Sequence, residues 1–297
     1  MKRGKTREIV SAGCVLGVCL FAGNALALTT VAMDNATNMA QSLVGAGVTI
    51  SNATYTGAAA ASGYFSGGTA AGIGIESGIV MTSGSIANLN GSANTSSGIT
   101  GDNGWDGYGP LDALNPGYTT YDASVLAFDF TTVGNAAYFT YAFGSDEYNE
   151  YVNTSYSDVF GFFLNGTAVS DNQALIPGTA TPVSINNVNN GANSVYYVDN
   201  ESGGLPFEYD GVTVPLQVAM TGLTPGDTYH LTLAIADAGD RTLDSGVFIG
   251  AGTLSEIPDP DIPGGGGNAP VPEPATMLLF ATGLIGFAGY SRKKMQR

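Results

Sequence analysis

Between residues 48 and 251 the chain passes through ten short apolar or alternating runs, each closed off by Gly, Asn, Asp or Pro. They are 48–50, 64–65, 78–82, 124–130, 137–143, 159–164, 194–198, 212–220, 228–237 and 245–251. Runs of this kind, bounded by turn formers, read as strands joined by tight connections. No helical stretches lie between them to carry crossovers, which favours two packed sheets over a parallel α/β arrangement. The expected fold is all-β: a single β-sandwich, jelly-roll-like, preceded by one short helix at 34–43 that stops at Gly45. Glycine, 43 of 297 residues, supplies the turns at about twice its usual share. The 13 Phe and 15 Tyr residues supply a core, so the low charged fraction of 11% does not signal disorder.

Charge narrows the function. Of nine cations, four lie at the start (Lys2, Arg3, Lys5, Arg7) and four at the end (Arg292, Lys293, Lys294, Arg297), leaving Arg241 alone between them. Residues 28–270 hold every acid except Glu8 and Glu273, 23 of the 25, for a net charge near −22. A body with one cation cannot neutralise nucleic-acid phosphates or dock on anionic lipid.

The two ends read as addresses. Residues 1–27 have a basic start, an apolar stretch over 9–22 and Ala25-Leu26-Ala27, the small-x-small pattern of a secretory signal cleaved after Ala27. Signal peptidase and the general secretion machinery are its expected partners, and Leu28 the mature start. Both cysteines, Cys14 and Cys19, fall inside this signal, so the mature chain has no thiol or disulfide chemistry. At the other end, 256–270 is a Pro/Gly linker, stiff where proline dominates and loose at its four consecutive glycines. After Pro272-Glu273-Pro274 comes an uncharged apolar run, 275–290, then a basic tail. At about 1.5 Å per residue the run makes a transmembrane helix roughly 24 Å long, with the body outside and the basic tail cytoplasmic.

This tail resembles the PEP-CTERM sorting signal: a Pro-Glu-Pro triplet, a short hydrophobic helix and a basic end, in order. The resemblance implies a Gram-negative bacterium, recognition and cleavage by an exosortase near Pro272-Glu273-Pro274, and transfer to the cell surface or extracellular matrix. The membrane would be engaged only transiently, through that helix. Three body segments, 72–85 (GIGIESGIVMTSGS), 143–166 (FGSDEYNEYVNTSYSDVFGFFLNG) and 236–252 (ADAGDRTLDSGVFIGAG), resemble the choice-of-anchor L domain. Over 28–255 this implies a β-rich, surface-displayed module with no catalytic residues to carry over.

Acid clusters carry the chemistry. Asp146, Glu147, Glu150 and Asp158 fall in one segment, and Asp237, Asp240 and Asp244 in another. Hard oxygen donors in loop-like segments suit Ca²⁺, which takes six to eight oxygens; neither segment has the regular EF-hand spacing. The expectation is a Ca²⁺ site drawing on these seven residues, against solvated loop acids that only keep the protein soluble. Arg241 is expected to pair with a neighbouring carboxylate.

Enzymatic readings find little support. A zinc hydrolase needs several His or Cys ligands, and the body holds only His230, on a strand, where packing or an edge position is expected. No Gly-x-Ser-x-Gly elbow is present. Tyr141, Tyr148, Tyr151 and Tyr156 near the first acidic segment, and Tyr108, Tyr118 and Tyr121 near the polar stretch 88–109, suit either strand packing or stacking on sugars. The expected role is non-enzymatic: adhesion, biofilm or exopolysaccharide association at the surface. The alternative is an extracellular carbohydrate-active hydrolase using a carboxylate pair.

Overall fold

The computed structural model describes residues 28–263, apart from Ser92, Ser97 and Ser155. The signal segment with Ala27, the glycines of the linker, Pro272, Glu273, Pro274 and the sorting helix 275–290 lie outside the described residues. Among the described residues no helix is long and apolar enough to cross a membrane.

Twelve strands and two helices follow in order: β1 (Thr29–Ala32), α1 (Ala36–Leu43), β2 (Val48–Thr56), β3 (Ser62–Ser66), β4 (Ser77–Thr82), α2 (Gly109–Leu114), β5 (Thr120–Thr132), β6 (Ala136–Ser145), β7 (Val159–Leu164), β8 (Tyr197–Asp199), β9 (Gly211–Thr213), β10 (Leu216–Thr221), β11 (Thr228–Ala238) and β12 (Ser245–Gly250). One sheet runs β1-β3-β4-β12-β6-β9-β8, with β10 also on β6; the other runs β2-β5-β11-β7. The all-β sandwich expected from the sequence is present, with sheets of unequal size.

The aromatic runs explain why the sheets pack. Along β6, Phe139, Tyr141 and Phe143 share one face, because successive side chains alternate, and that face meets Phe160 and Phe162 of β7. Phe143 stacks on Phe160 at 4.6 Å between centroids, and Tyr141 meets Phe162 edge-on at 4.9 Å. Burying residues of this size stabilises by roughly 1.5–3 kcal/mol each. Two smaller cores cover the outer faces. Phe65, Val80, Phe207, Tyr209 and Phe248 pack behind the large sheet, and α2 lays Leu111 over Phe163 and Ala234 behind the small one.

The local departures have local causes. The run 212–220 divides into β9 and β10, both on the same edge of β6, because Pro215 between them has no N–H to offer the ladder. Residues 194–196 form a 3₁₀ turn, leaving only 197–199 as strand. Helix α1 is capped by Asn35, whose side chain accepts from the Asn38 amide. Strand β1 and helix α2 carry too few periodic residues to announce themselves.

Candidate metal centre

The acidic segments converge because antiparallel pairing brings six strand ends together. Ser145, the last residue of β6, pairs with Ser245, the first of β12, and with Gly211 of β9. Their flanking acids Asp146, Asp244 and Asp210 are thereby set at one end of the large sheet, where the Asp146 amide donates to the Asp244 carbonyl at 3.1 Å. At the same end of the small sheet stand Asp237 on β11, Asp158 just before β7 and Asp122 on β5. A bulge between Ile235 and Asp237 re-aims the strand there. Glu147 crosses between the layers: its Oε2 accepts from the Asp158 amide at 2.8 Å, while Asp158 Oδ1 accepts from the Ala238 amide at 3.0 Å.

Seven carboxylates, Asp122, Asp146, Glu147, Asp158, Asp210, Asp237 and Asp244, are each no more than 2% exposed. The polar stretch over residues 94–105 is laid across them by its own amides. Thr95 N–H donates to Glu208 at 3.0 Å, Ile99 to Asp146 at 3.0 Å, Gly101 to Asp244 at 2.9 Å, and Trp105 and Asn103 to the two oxygens of Asp122 at 2.6 and 3.2 Å. The Asn94 side chain donates to Asp210. Backbone packing is tight: a Cβ added at Gly84 would run into the Asp244 carboxylate.

These bonds do not satisfy the cluster. Asp146 Oδ1, Glu147 Oε1, Asp158 Oδ2, Asp210 Oδ2, Asp244 Oδ2 and both oxygens of Asp237 are buried without a hydrogen-bond partner. Arg241 donates to Asp122 at 2.8 Å, reaches Asp102 at 3.5 Å and lies over the Tyr121 ring at 4.9 Å. The pairing expected for Arg241 is therefore made, but outside the two predicted clusters. An ionised carboxylate left unpaired in a protein interior costs several kcal/mol, so the protons are held instead. Burial, then the charge of Asp210, pushes Asp146 up to about 9. Burial, with Asp237, Asp240 and Asp146 repelling, takes Glu147 to about 9. Burial also raises Asp158, beside Glu147 and Asp237, and Asp237, beside Asp244 and Asp122, well above the carboxylate range. Burial brings Asp244 and Asp210 to about 6.

Of the seven acids singled out from sequence, five meet here: Asp146, Glu147, Asp158, Asp237 and Asp244. Glu150 is exposed at the rim, close enough to repel Asp210. Asp240 is half-buried and turns its Oδ1 to the amide and hydroxyl of Thr242 at 3.0 and 2.8 Å. Three acids were not singled out: Asp122, Glu208 and Asp210. The last two sit in Phe207-Glu208-Tyr209-Asp210-Gly211, whose acid and aromatic alternation at the head of a strand was the available signal. Asp122 gave none. Among the described residues no three such side chains stand together as a ready-made metal-binding group; the carboxylates share a floor without their oxygens meeting at one point.

His230 lies at the opposite end of β11. Its Nδ1 contacts the Asp129 carboxylate at 2.7 Å with the imidazole half exposed; β11 lies between β5 and β7, so the residue is on the open face of an inner strand rather than packed or at a sheet edge. Hydrogen bonds from Asn52 and His230 hold Asp129 below its usual range.

A two-layer β-sandwich with an acid floor at one end, and a sorting tail beyond its linker, is the class this chain defines. The choice-of-anchor L domain model matches residues 29–255, and the chain belongs to that family. The PEP-CTERM protein-sorting motif matches 270–293. No curated protein and no solved structure matches the chain. The matched families are a surface domain and a sorting signal, neither an enzyme family, and they make this an exported, surface-sorted protein whose tail implies processing by an exosortase.

Proposed function

We propose that this is a non-enzymatic surface module whose acid floor takes up Ca²⁺ outside the cell, and that the stabilised domain associates with exopolysaccharide in adhesion or biofilm. The observation that carries the reading is the floor itself: seven buried carboxylates, seven oxygens without partners, and one nearby cation already bound to Asp122. A divalent ion offsets that charge. Side-chain rotations would bring these oxygens to one ion, and Ca²⁺ accepts flexible oxygen geometry. Such an ion would tie the two sheets together, since Asp146 and Asp244 belong to one and Asp158 and Asp237 to the other. Against the hydrolase alternative stands the burial of these seven acids, each no more than 2% exposed, which keeps them from a glycosidic bond.

Calcium should therefore raise the melting temperature of the purified full-length chain. Ca²⁺ at a hundred times its Kd adds about 2.7 kcal/mol, or roughly 5–11 °C for a domain of this size. No shift between millimolar calcium and EGTA at pH 8 would remove the metal from the reading. Failure of the calcium-loaded chain to co-sediment with isolated matrix polysaccharide would remove the matrix association.

Sorting has its own test. Replacing Pro272, Glu273 and Pro274 together with alanine should leave an unprocessed precursor in the membrane fraction, visible as a larger band on immunoblot. Unchanged processing would refute the role of the triplet.

The Gram-negative host and the transient membrane stage belong to the same proposal. They rest on the kind of tail matched and on the basic residues after 275–290.

A further inference from the structure

Next to the acid floor the sandwich holds a cavity of about 260 Å³ with an unusual wall. It lies between the end of α2, the residues entering β7 and the turn at 182–187. Its polar side is made by Asn115, Ser157, Asp158, Ser184, Asn186 and Asn187. Leu114, Phe160 and Pro182 supply an apolar side. The volume lies just under the range of about 300–1,000 Å³ usual for drug-sized ligands, which suits one sugar ring and excludes an extended chain.

The polar wall is held in place from behind. Asn115 Nδ2 donates to the Ser157 carbonyl at 3.0 Å, Asn187 Nδ2 to the Pro182 carbonyl at 3.0 Å, and Asn186 Oδ1 accepts from the Asn153 amide. Val183 and Ile185 anchor the turn in the main core. These bonds leave the Asn115 and Asn187 side-chain oxygens, the Asn186 amide nitrogen and the Ser184 hydroxyl without partners among the described residues. Donors and acceptors are thus mixed on one wall opposite an apolar one, the pattern that matches a ring with hydroxyls on its edge and C–H groups on its face.

Two further features select the ligand. Tyr118 and Tyr156, 40% and 41% exposed, are among the few large apolar side chains left open, and they flank the segments that supply Asn115 and Ser157. Neither lines the cavity itself; exposed aromatic faces on the segments that border it suit the C–H faces of a sugar. No Lys, Arg or His is among the described residues lining the cavity, so nothing there pairs with an anionic ligand.

We propose that this cavity seats a single neutral pyranose of a surface polysaccharide. The proposal rests on the reading of matrix association above and gives that reading a location. The cavity touches the metal floor through Asp158 alone, so the test uses variants that leave every acid in place.

The experiment is saturation-transfer NMR on the calcium-loaded full-length chain with the methyl pyranosides of glucose, galactose and mannose. At least one should receive transfer. Ser184→Trp, which fills the cavity, should weaken that binding at least tenfold while leaving the calcium-induced melting shift unchanged. Should Ser184→Trp fail to fold, Asn186→Asp serves instead: it keeps the oxygen that accepts from Asn153 and removes the amide donor offered to the sugar. It should weaken binding by a similar factor. Transfer from the wild-type chain to none of the three, or equal transfer from wild type and variants, overturns the cavity. Undiminished co-sedimentation of the variants with matrix polysaccharide overturns the cavity but leaves matrix association standing, whereas a wild-type chain that does not co-sediment removes both.

Discussion

In metal-free buffer the melting temperature of this protein should fall as pH rises from 5 to 9, by about 10 °C or more. The sign follows from which state holds protons. In the unfolded chain the floor acids titrate in the ordinary carboxylate range, whereas in the folded chain Asp244 and Asp210 titrate near 6 and Asp146 and Glu147 near 9. Below the ordinary range both states are protonated and the stability is complete. Above it the folded state keeps protons that the unfolded state has lost, so each rise in pH favours unfolding. For Asp244 alone, the move from near 4 to about 6 is worth roughly 3 kcal/mol in all, of which about 1.4 kcal/mol, or about 3–6 °C at this size, falls between pH 5 and 9; Asp146 and Glu147 supply the rest. Calcium must act in the opposite sense, because its ligands bind it only when deprotonated. Melts with and without calcium should coincide near pH 5 and separate progressively toward pH 9. A metal-free curve that is flat or rises with pH would contradict the protonated floor, and curves separated equally at every pH would contradict calcium acting through it.

Substituting Asp237 with asparagine should reverse its effect with conditions. Asp237 stands among Asp122, Asp158 and Asp244, with both of its oxygens buried. Without metal at pH 8, Asp237→Asn removes a carboxyl that can be buried only by taking up a proton on folding, while keeping the shape. The variant should then melt above wild type, by about 2 kcal/mol on the scale of one unsatisfied buried polar group, or roughly 4–8 °C. In calcium it should melt below wild type, because a ligand is lost and the calcium response with it. Paired melts of the two proteins in both buffers measure this directly. A variant less stable than wild type in both buffers would assign Asp237 an ordinary structural role, and a variant that keeps the full calcium shift would place the ion elsewhere.

The strands were legible because their signal is local. Alternation along β5 and the aromatic run of β7 mark burial whatever the partner, and most predicted runs became strands at nearly the predicted places. The exceptions lacked that signal or carried a breaker, as at Pro215. The candidate site was legible by half. Asp146, Glu147 and Asp158 stood out as one dense cluster and Asp237 with Asp244 as another, yet their meeting depends on β6 pairing with β12, more than a hundred residues away in sequence. Glu150 and Asp240 look the same in sequence as their buried neighbours, and only their positions at the rim distinguish them. Asp122 joins the floor through the pairing of β5 with β11, a contact with no counterpart in local composition.

By itself the sequence determined that this chain is exported and sorted, that its body is built of strands, and that the body carries one cation against 23 acids. Those properties are sums and local patterns, so they survive without knowing which residues touch. Only the tertiary structure decided that the acids are buried, since burial depends on which strand ends coincide and on residues 94–105 lying across them. Solvated, the same carboxylates would do no more than keep a protein soluble. Brought together at the end of two sheets, at 2% exposure or less, they must bind either protons or a cation.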